Sequence, residues 1–221
     1  MTYYQLHPLN ARHGLTAVLP GLRATVAEAV RLTQAHAALP DFDVTVRVDP
    51  DRCIPGWGVG GLAPAPGVIE IALIPDLCTP ERLIRTLVHE FHHLIRWDGP
   101  GYGRTLGEAL VSEGLAGQFV REVLGGPPDP WDQTPVAEGL AKRAIAEWSR
   151  PGYDHGAWFF GQGELRRWVG YGLGARIVAE ALAAAPDATA VTLATAPAEQ
   201  FRPVLRRLAS RAAGGETAAE D

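Results

Sequence analysis

His89-Glu90-Phe91-His92-His93 sets two imidazoles four residues apart with a carboxylate between them. On a helix, positions i and i+4 share a face, so both rings can turn toward a single ion while Glu90 projects beside that ion. The pattern is an HExxH, which supports hydrolysis by a zinc-bound water with the glutamate as its base. Two histidines do not close a catalytic zinc site, which takes three protein ligands and keeps one position open. The metzincin extension needs Gly at Arg96 and His at Gly99 and is absent, so a carboxylate is expected further along the chain.

The motif needs a rigid carrier. Thr79 as N-cap, Pro80 at the first helical position and Glu81 in the first turn predict a helix running to Trp97. Leu83, Ile84, Leu87, Val88, Phe91, Leu94 and Ile95 fall on one arc of it, and His89 and His93 are expected on the opposite side, away from the core. His92 points well off the His89/His93 face and reads as a supporting or surface group. The next helix, from Thr105 to about Leu124, holds Glu108 and Glu113. Glu113 shares a face with Ala109, Leu110, Ala116, Gly117 and Val120, where a charge needs a partner and a metal would supply one. Glu108 lies between Arg104 and Ser112 on a polar face, which accounts for it without a metal, so Glu113 is favoured as third ligand and Glu108 is the alternative.

The elements around these helices predict an α+β fold. Leu22 to Leu39, closed by Pro40, reads as a first amphipathic helix, and the alternation of Phe42 to Val48 reads as a strand. Gly56 to Ala63 and Val68 to Ile74 read as an irregular Gly-rich strand and a regular one, giving a small mixed or antiparallel sheet. Residues 1–213 are expected to form a single domain, with the helix and sheet in 1–78, a mainly helical lobe in 79–213 and a disordered tail at 214–221. Arg202, Arg206, Arg207 and Arg211 make a stripe on a C-terminal helix, read as a solvated face.

The 221 residues carry a net charge of −5, which opposes nucleic-acid binding. No apolar run reaches the length of a membrane span, and the first residues lack the charged and apolar regions of a secretory signal. With only Cys53 and Cys78, both read as free thiols, a cytoplasmic location is expected. Nothing in the sequence specifies an oligomeric state.

His89-Glu90-Phe91-His92-His93 followed by Ser112-Glu113-Gly114-Leu115-Ala116 resembles the gluzincin type of metallopeptidase. Within that group the chain is similar to the predicted Zn-dependent protease family known as domain of unknown function 2268. Gly60-Gly61-Leu62-Ala63-Pro64, Trp158-Phe159-Phe160-Gly161 and the stretch Trp168 to Val178 add to the likeness, which runs from about Val44 to Ala183. The resemblance implies a zincin-like fold with one Zn²⁺ per chain held by His89, His93 and Glu113, and Glu90 as the catalytic carboxylate. It also implies Tyr171 as a donor to the oxyanion of the tetrahedral intermediate, a role open to Tyr153 and His155 as well.

The expected function is therefore zinc-dependent hydrolysis of a peptide or protein bound in extended form, with the Gly58 to Ala63 strand as the edge that pairs with it. The competing expectation is a non-catalytic module, or pseudoenzyme, that holds zinc and captures a peptide without cutting it.

Overall fold

The computed structural model describes residues 2–137 and 139–215. The chain divides into two compact units, Met1–Asp98 with Glu122–Gly125, and Gly99–Arg121 with Gly126–Asp221. The fold is α+β, a four-stranded mixed sheet followed by a mostly helical region.

In the first unit, β1 (Tyr4–Pro8), α1 (Leu19–Gln34) and β2 (Phe42–Val48) form a βαβ crossover, β1 and β2 running parallel. β3 (Val59–Ala65) and β4 (Val68–Leu73) follow as a hairpin, giving the strand order β1-β2-β4-β3. β2 and β4 are parallel, with Val44 opposite Ile69 and Val46 opposite Ile71, while β3 pairs antiparallel with β4 and forms an edge. Leu22, Val26, Ala29 and Val30 of α1 pack on Val44, Val46, Ile69, Ile71 and Leu73 of the sheet. The same core takes in Leu83, Leu87, Phe91 and Leu94 of α2 (Pro80–Trp97). Each of these valine, leucine, isoleucine and phenylalanine side chains contributes about 1.5–3 kcal/mol by leaving water. Aromatic contacts tie the layers together: Tyr4 stacks on Phe42 at 5.3 Å, and Phe42 tilts against Phe91 at 5.1 Å. The helix carrying the HExxH is thus fixed directly onto the sheet.

α2 begins where its local chemistry dictates, with the Thr79 side chain accepting from the Arg82 N–H at 3.2 Å. Two expectations are corrected. α1 ends at Gln34 rather than Leu39, because the N–H groups of His36 and Ala37 both turn back to the Thr33 carbonyl, and Ala37 and Leu39 then reach the core from the irregular segment that follows. β1 was not anticipated.

The second unit contains α3 (Leu106–Leu124, whose last residues fall in the first unit), α4 (Leu140–Glu147), a π-helical turn Gly156–Phe160, α5 (Val169–Ala183) and α6 (Arg202–Gly215). α3 and α5 meet through glycines: a Cβ on Gly114 would overlap the Gly174 carbonyl, and one on Gly174 would overlap that of Leu110. Trp148 and Trp158 fill the interior and place their N–H groups on Glu199 and Glu147, at 2.8 and 3.1 Å. The arginine stripe of α6 is solvated at Arg206, Arg207 and Arg211, and Arg211 pairs with Glu180 at 3.2 Å. From residue 216 onward the expected tail lies outside the described residues.

Candidate active site

α2 carries His89, Glu90 and His93, and every residue from Thr86 to Leu94 is buried. His89 and His93 lie off the apolar arc, as expected, and are nonetheless buried, since only 8% and 6% of these residues is exposed. The polar arc of α2 is an interior surface. His92 is fully buried, so the surface alternative for it falls away. The two ligand candidates lie edge to face, ring centroids 4.9 Å apart, one helical turn between them.

Glu90 lies under the edge strand. A Cβ on Gly61 of β3 would sit 2.5 Å from Oε1 of Glu90 and 2.6 Å from its Cγ, so glycine is required for the carboxylate to occupy this position. The same strand is anchored on either side of Gly61. The Val59 carbonyl accepts from the Ile54 N–H at 3.2 Å, and the Ala63 carbonyl accepts from the Trp97 indole at 3.1 Å.

Glu113 on α3 is 6% exposed, and its Oε1 accepts a hydrogen bond from the Tyr102 hydroxyl at 2.7 Å. Burial pushes the Tyr102 phenol well above its ordinary pKa, with the Glu113 charge adding to the shift, so the hydroxyl keeps its proton and donates. Tyr153 and Tyr171 both bear electrostatically on the same phenol. Tyr153 shares a 2.8 Å hydrogen bond with Nδ1 of His155, and burial likewise pushes the Tyr153 phenol up. The His155 ring stacks on Phe159 at 4.6 Å, and Tyr171 stands edge-on to Phe159 at 5.0 Å. Burial pulls the His155 pKa down, partly opposed by the charges of Glu113 and Asp154. The three residues considered as oxyanion donors thus share one aromatic cluster with Tyr102.

Glu108 is engaged elsewhere. Its Oε2 accepts from the N–H groups of Arg104 and Thr105 at 2.7 and 2.9 Å and from the Thr105 hydroxyl at 2.9 Å, while Thr105 Oγ1 accepts from the Glu108 N–H at 3.3 Å. This is a capping box at the start of α3. The signal, Thr105-x-x-Glu108, is present in the sequence. Tyr102 also escaped the sequence reading, although flanking glycines mark it as they mark Tyr171.

Donor atoms of His89, His93 and Glu113 lie within 4.8 Å of one another, a group that can hold a metal ion. Two imidazoles and one carboxylate, all buried, suit a borderline ion such as zinc better than a hard ion that prefers oxygen. Among the described residues, no helix is long and apolar enough to cross a membrane.

A curated relative, "Uncharacterized protein YjfC" of Bacillus subtilis (strain 168), is 32% identical over 80 residues, 35% of this chain and 27% of that protein. The match thus spans only about a quarter of the relative's length. Residues 22–202 match the family model described as predicted Zn-dependent protease, domain of unknown function 2268. The match covers well over half of the chain, and the chain belongs to this family.

Proposed function

We propose that the chain is a zinc-dependent peptidase of the gluzincin type, in which His89, His93 and Glu113 hold one Zn²⁺ and Glu90 is the general base. The observation that carries this reading is the convergence of donor atoms from His89, His93 and Glu113 to within 4.8 Å. A bound zinc ion supplies Lewis acidity, acidifying a water and polarising a peptide carbonyl.

The chain's own residues supply the rest. Glu90 takes a proton from the attacking water and returns it to the leaving amine. Its place against Gly61 keeps the carboxylate beside the edge strand, where a substrate would lie. Val59 and Ala63 send their carbonyls away from β4, and by the alternation of a strand Gly61 faces its backbone N–H and C=O to the same side. This orientation supports a reading in which the Gly61 pair hydrogen-bonds an extended substrate. Tyr171, Tyr153 and His155 are the candidate donors to the developing oxyanion. His155 with Nδ1 held by Tyr153 keeps Nε2 for that task, and a pKa lowered by burial favours the neutral ring. A cytoplasmic site of action belongs to the same reading, supported by two free thiols.

The test is elemental analysis of untagged protein together with hydrolysis of a peptide library by wild type and Glu90→Gln. One zinc per chain in both proteins, with cleavage by wild type alone, is expected. Zinc in both with cleavage in neither would mark a module that holds zinc and captures peptides without cutting them.

A further inference from the structure

We propose that Tyr102 is a positioning residue for the metal: its hydroxyl donates to Oε1 of Glu113 and holds the carboxylate in the orientation that brings it together with His89 and His93. The inference rests on the proposed zinc site and adds to it a residue that touches neither metal nor substrate.

A glutamate reaches its ligand position through three side-chain torsions, and the last, about the bond to the carboxylate, is broad and roughly two-fold. Burial alone does not decide which oxygen points where. The Tyr102 hydroxyl constrains that torsion through a hydrogen bond of 2.7 Å to Oε1, the length of one strengthened by charge.

The chain around Tyr102 is built to hold that hydroxyl in place. Gly101 and Gly103 have φ of +67° and +87°, a region that favours glycine, so the backbone turns sharply on both sides of the tyrosine. Immediately after it, Glu108 gathers the N–H groups of Arg104 and Thr105 and the Thr105 hydroxyl, clamping the loop to the first turn of the helix that carries Glu113. A Cβ on Gly103 would overlap the Glu108 side chain, so turn and clamp depend on each other. Thr105 also pairs with Pro151 as an isolated antiparallel bridge, which ties the Tyr102 segment to the segment leading to Tyr153. The Tyr102 ring then stands edge-on to His155 at 6.2 Å. Loop, cap and bridge therefore converge on the phenol, and the phenol converges on the one carboxylate of the metal group.

Residues that orient a metal ligand typically account for 10–100-fold in metal affinity. The experiment measures the zinc dissociation constant by chelator competition for the full chain and for Tyr102→Phe, which deletes only the hydroxyl. The visible absorption of the cobalt(II)-substituted proteins and the thermal midpoints of the metal-free proteins are recorded alongside. Affinity in Tyr102→Phe is expected to fall by roughly 10–100-fold, the cobalt bands to shift, and the metal-free midpoint to stay close to wild type. Gly103→Ala, which keeps the hydroxyl but disturbs the loop, is expected to weaken affinity in the same direction. It provides the reading should Tyr102→Phe fold poorly. Affinity within about threefold of wild type in the folded variants, with unchanged cobalt bands, would overturn the positioning role and leave the peptidase reading standing. Failure of wild type to take up zinc would overturn both.

Discussion

Gly61 on β3 and Glu90 on α2 are in mutual contact, and a single methyl group on Gly61 would lie between 2.5 and 2.8 Å from three atoms of the Glu90 side chain. The backbone of an edge strand and the carboxylate of the HExxH thus share one small space. In the proposed reaction this is the space where a substrate strand meets the base.

Gly61→Ala is therefore expected to lose peptide hydrolysis at least tenfold while still binding zinc, since Glu90 is displaced and the proposed ligands are not. Forcing one methyl group into a packed site costs about 1–3 kcal/mol. Hydrolysis rate, zinc content and urea unfolding of one preparation check the three parts. Loss of zinc together with activity would show that Gly61 supports the whole helix rather than the base.

Glu108→Ala removes the acceptor of the capping box, and about 1–2 kcal/mol of stability is expected to go with it. Glu108→Gln keeps a neutral acceptor and is expected to lose a smaller part. Thermal unfolding of both variants beside wild type measures the difference. Equal losses would mean that the charge at the start of α3, rather than the hydrogen bonds, carries the stabilisation.

Local chemistry explains how much of this was legible from the residues alone. Thr79, Pro80 and Glu81 fix the start of α2 within one turn, and the alternation of Phe42 to Val48 gives β2 to the residue. Where one side chain can serve two structures, the pattern misleads. Ala37 and Leu39 look like a continued helix and are instead buried residues of the irregular segment after it. β1 has only Tyr4 and Leu6 to announce it, and most of its residues face solvent. The helical wheel correctly separates His89 and His93 from the apolar arc, yet a wheel says nothing about what covers a polar face, and both histidines are buried. Glu113 stood out because a charge among apolar residues needs a reason. Tyr102 did not, because a tyrosine in a Gly-flanked loop is unremarkable until the fold brings its hydroxyl to 2.7 Å from a buried acid.

Gly114 and Gly174 let the backbones of α3 and α5 touch, since a Cβ on Gly114 would overlap the Gly174 carbonyl and one on Gly174 would overlap the Leu110 carbonyl. Gly174→Ala is expected to cost about 1–3 kcal/mol, even though alanine favours a helix over glycine by up to about 1 kcal/mol. Combining it with Gly114→Ala is expected to cost less than the sum of the two, because the first methyl already forces the helices apart. Denaturant unfolding of the two single variants and the double variant closes the cycle. Strict additivity would mean that each methyl is accommodated locally.

Burial pushes the Cys53 thiol up to about 11, with the charges of Asp49 and Cys78 adding to the shift. The unfolded chain ionises this thiol near its ordinary value, about 8.5, so above that pH the unfolded state sheds its proton first. The stabilising contribution is therefore complete below the ordinary thiol pKa and lost as the pH rises toward about 11. Unfolding free energies measured from pH 7 to 11 are expected to fall more steeply for wild type than for Cys53→Ala. Iodoacetamide at pH 8 is expected to leave Cys53 of the folded protein unmodified and to label it in denaturant. Rapid labelling of the folded chain would contradict the assigned environment.

Removal of the metal separates the proposed ligands from their neighbours. An ion that binds the folded chain and not the unfolded one stabilises by about 4 kcal/mol when present at a thousand times its dissociation constant. At roughly 2–4 °C per kcal/mol for a chain of this size, a chelator is expected to lower the thermal midpoint by on the order of 10 °C. His93→Ala is expected to show no response to either zinc or chelator, and Glu113→Gln a much reduced one. Glu90→Gln is expected to keep the full response, because the base is not a ligand in the proposed site. Glu108→Ala is expected to melt lower in both states with the interval between them preserved, since its Oε2 serves the helix cap. Scanning calorimetry of these variants with zinc and with chelator reads each interval. An interval that vanished in Glu108→Ala and survived in Glu113→Gln would reverse the assignment of the third ligand.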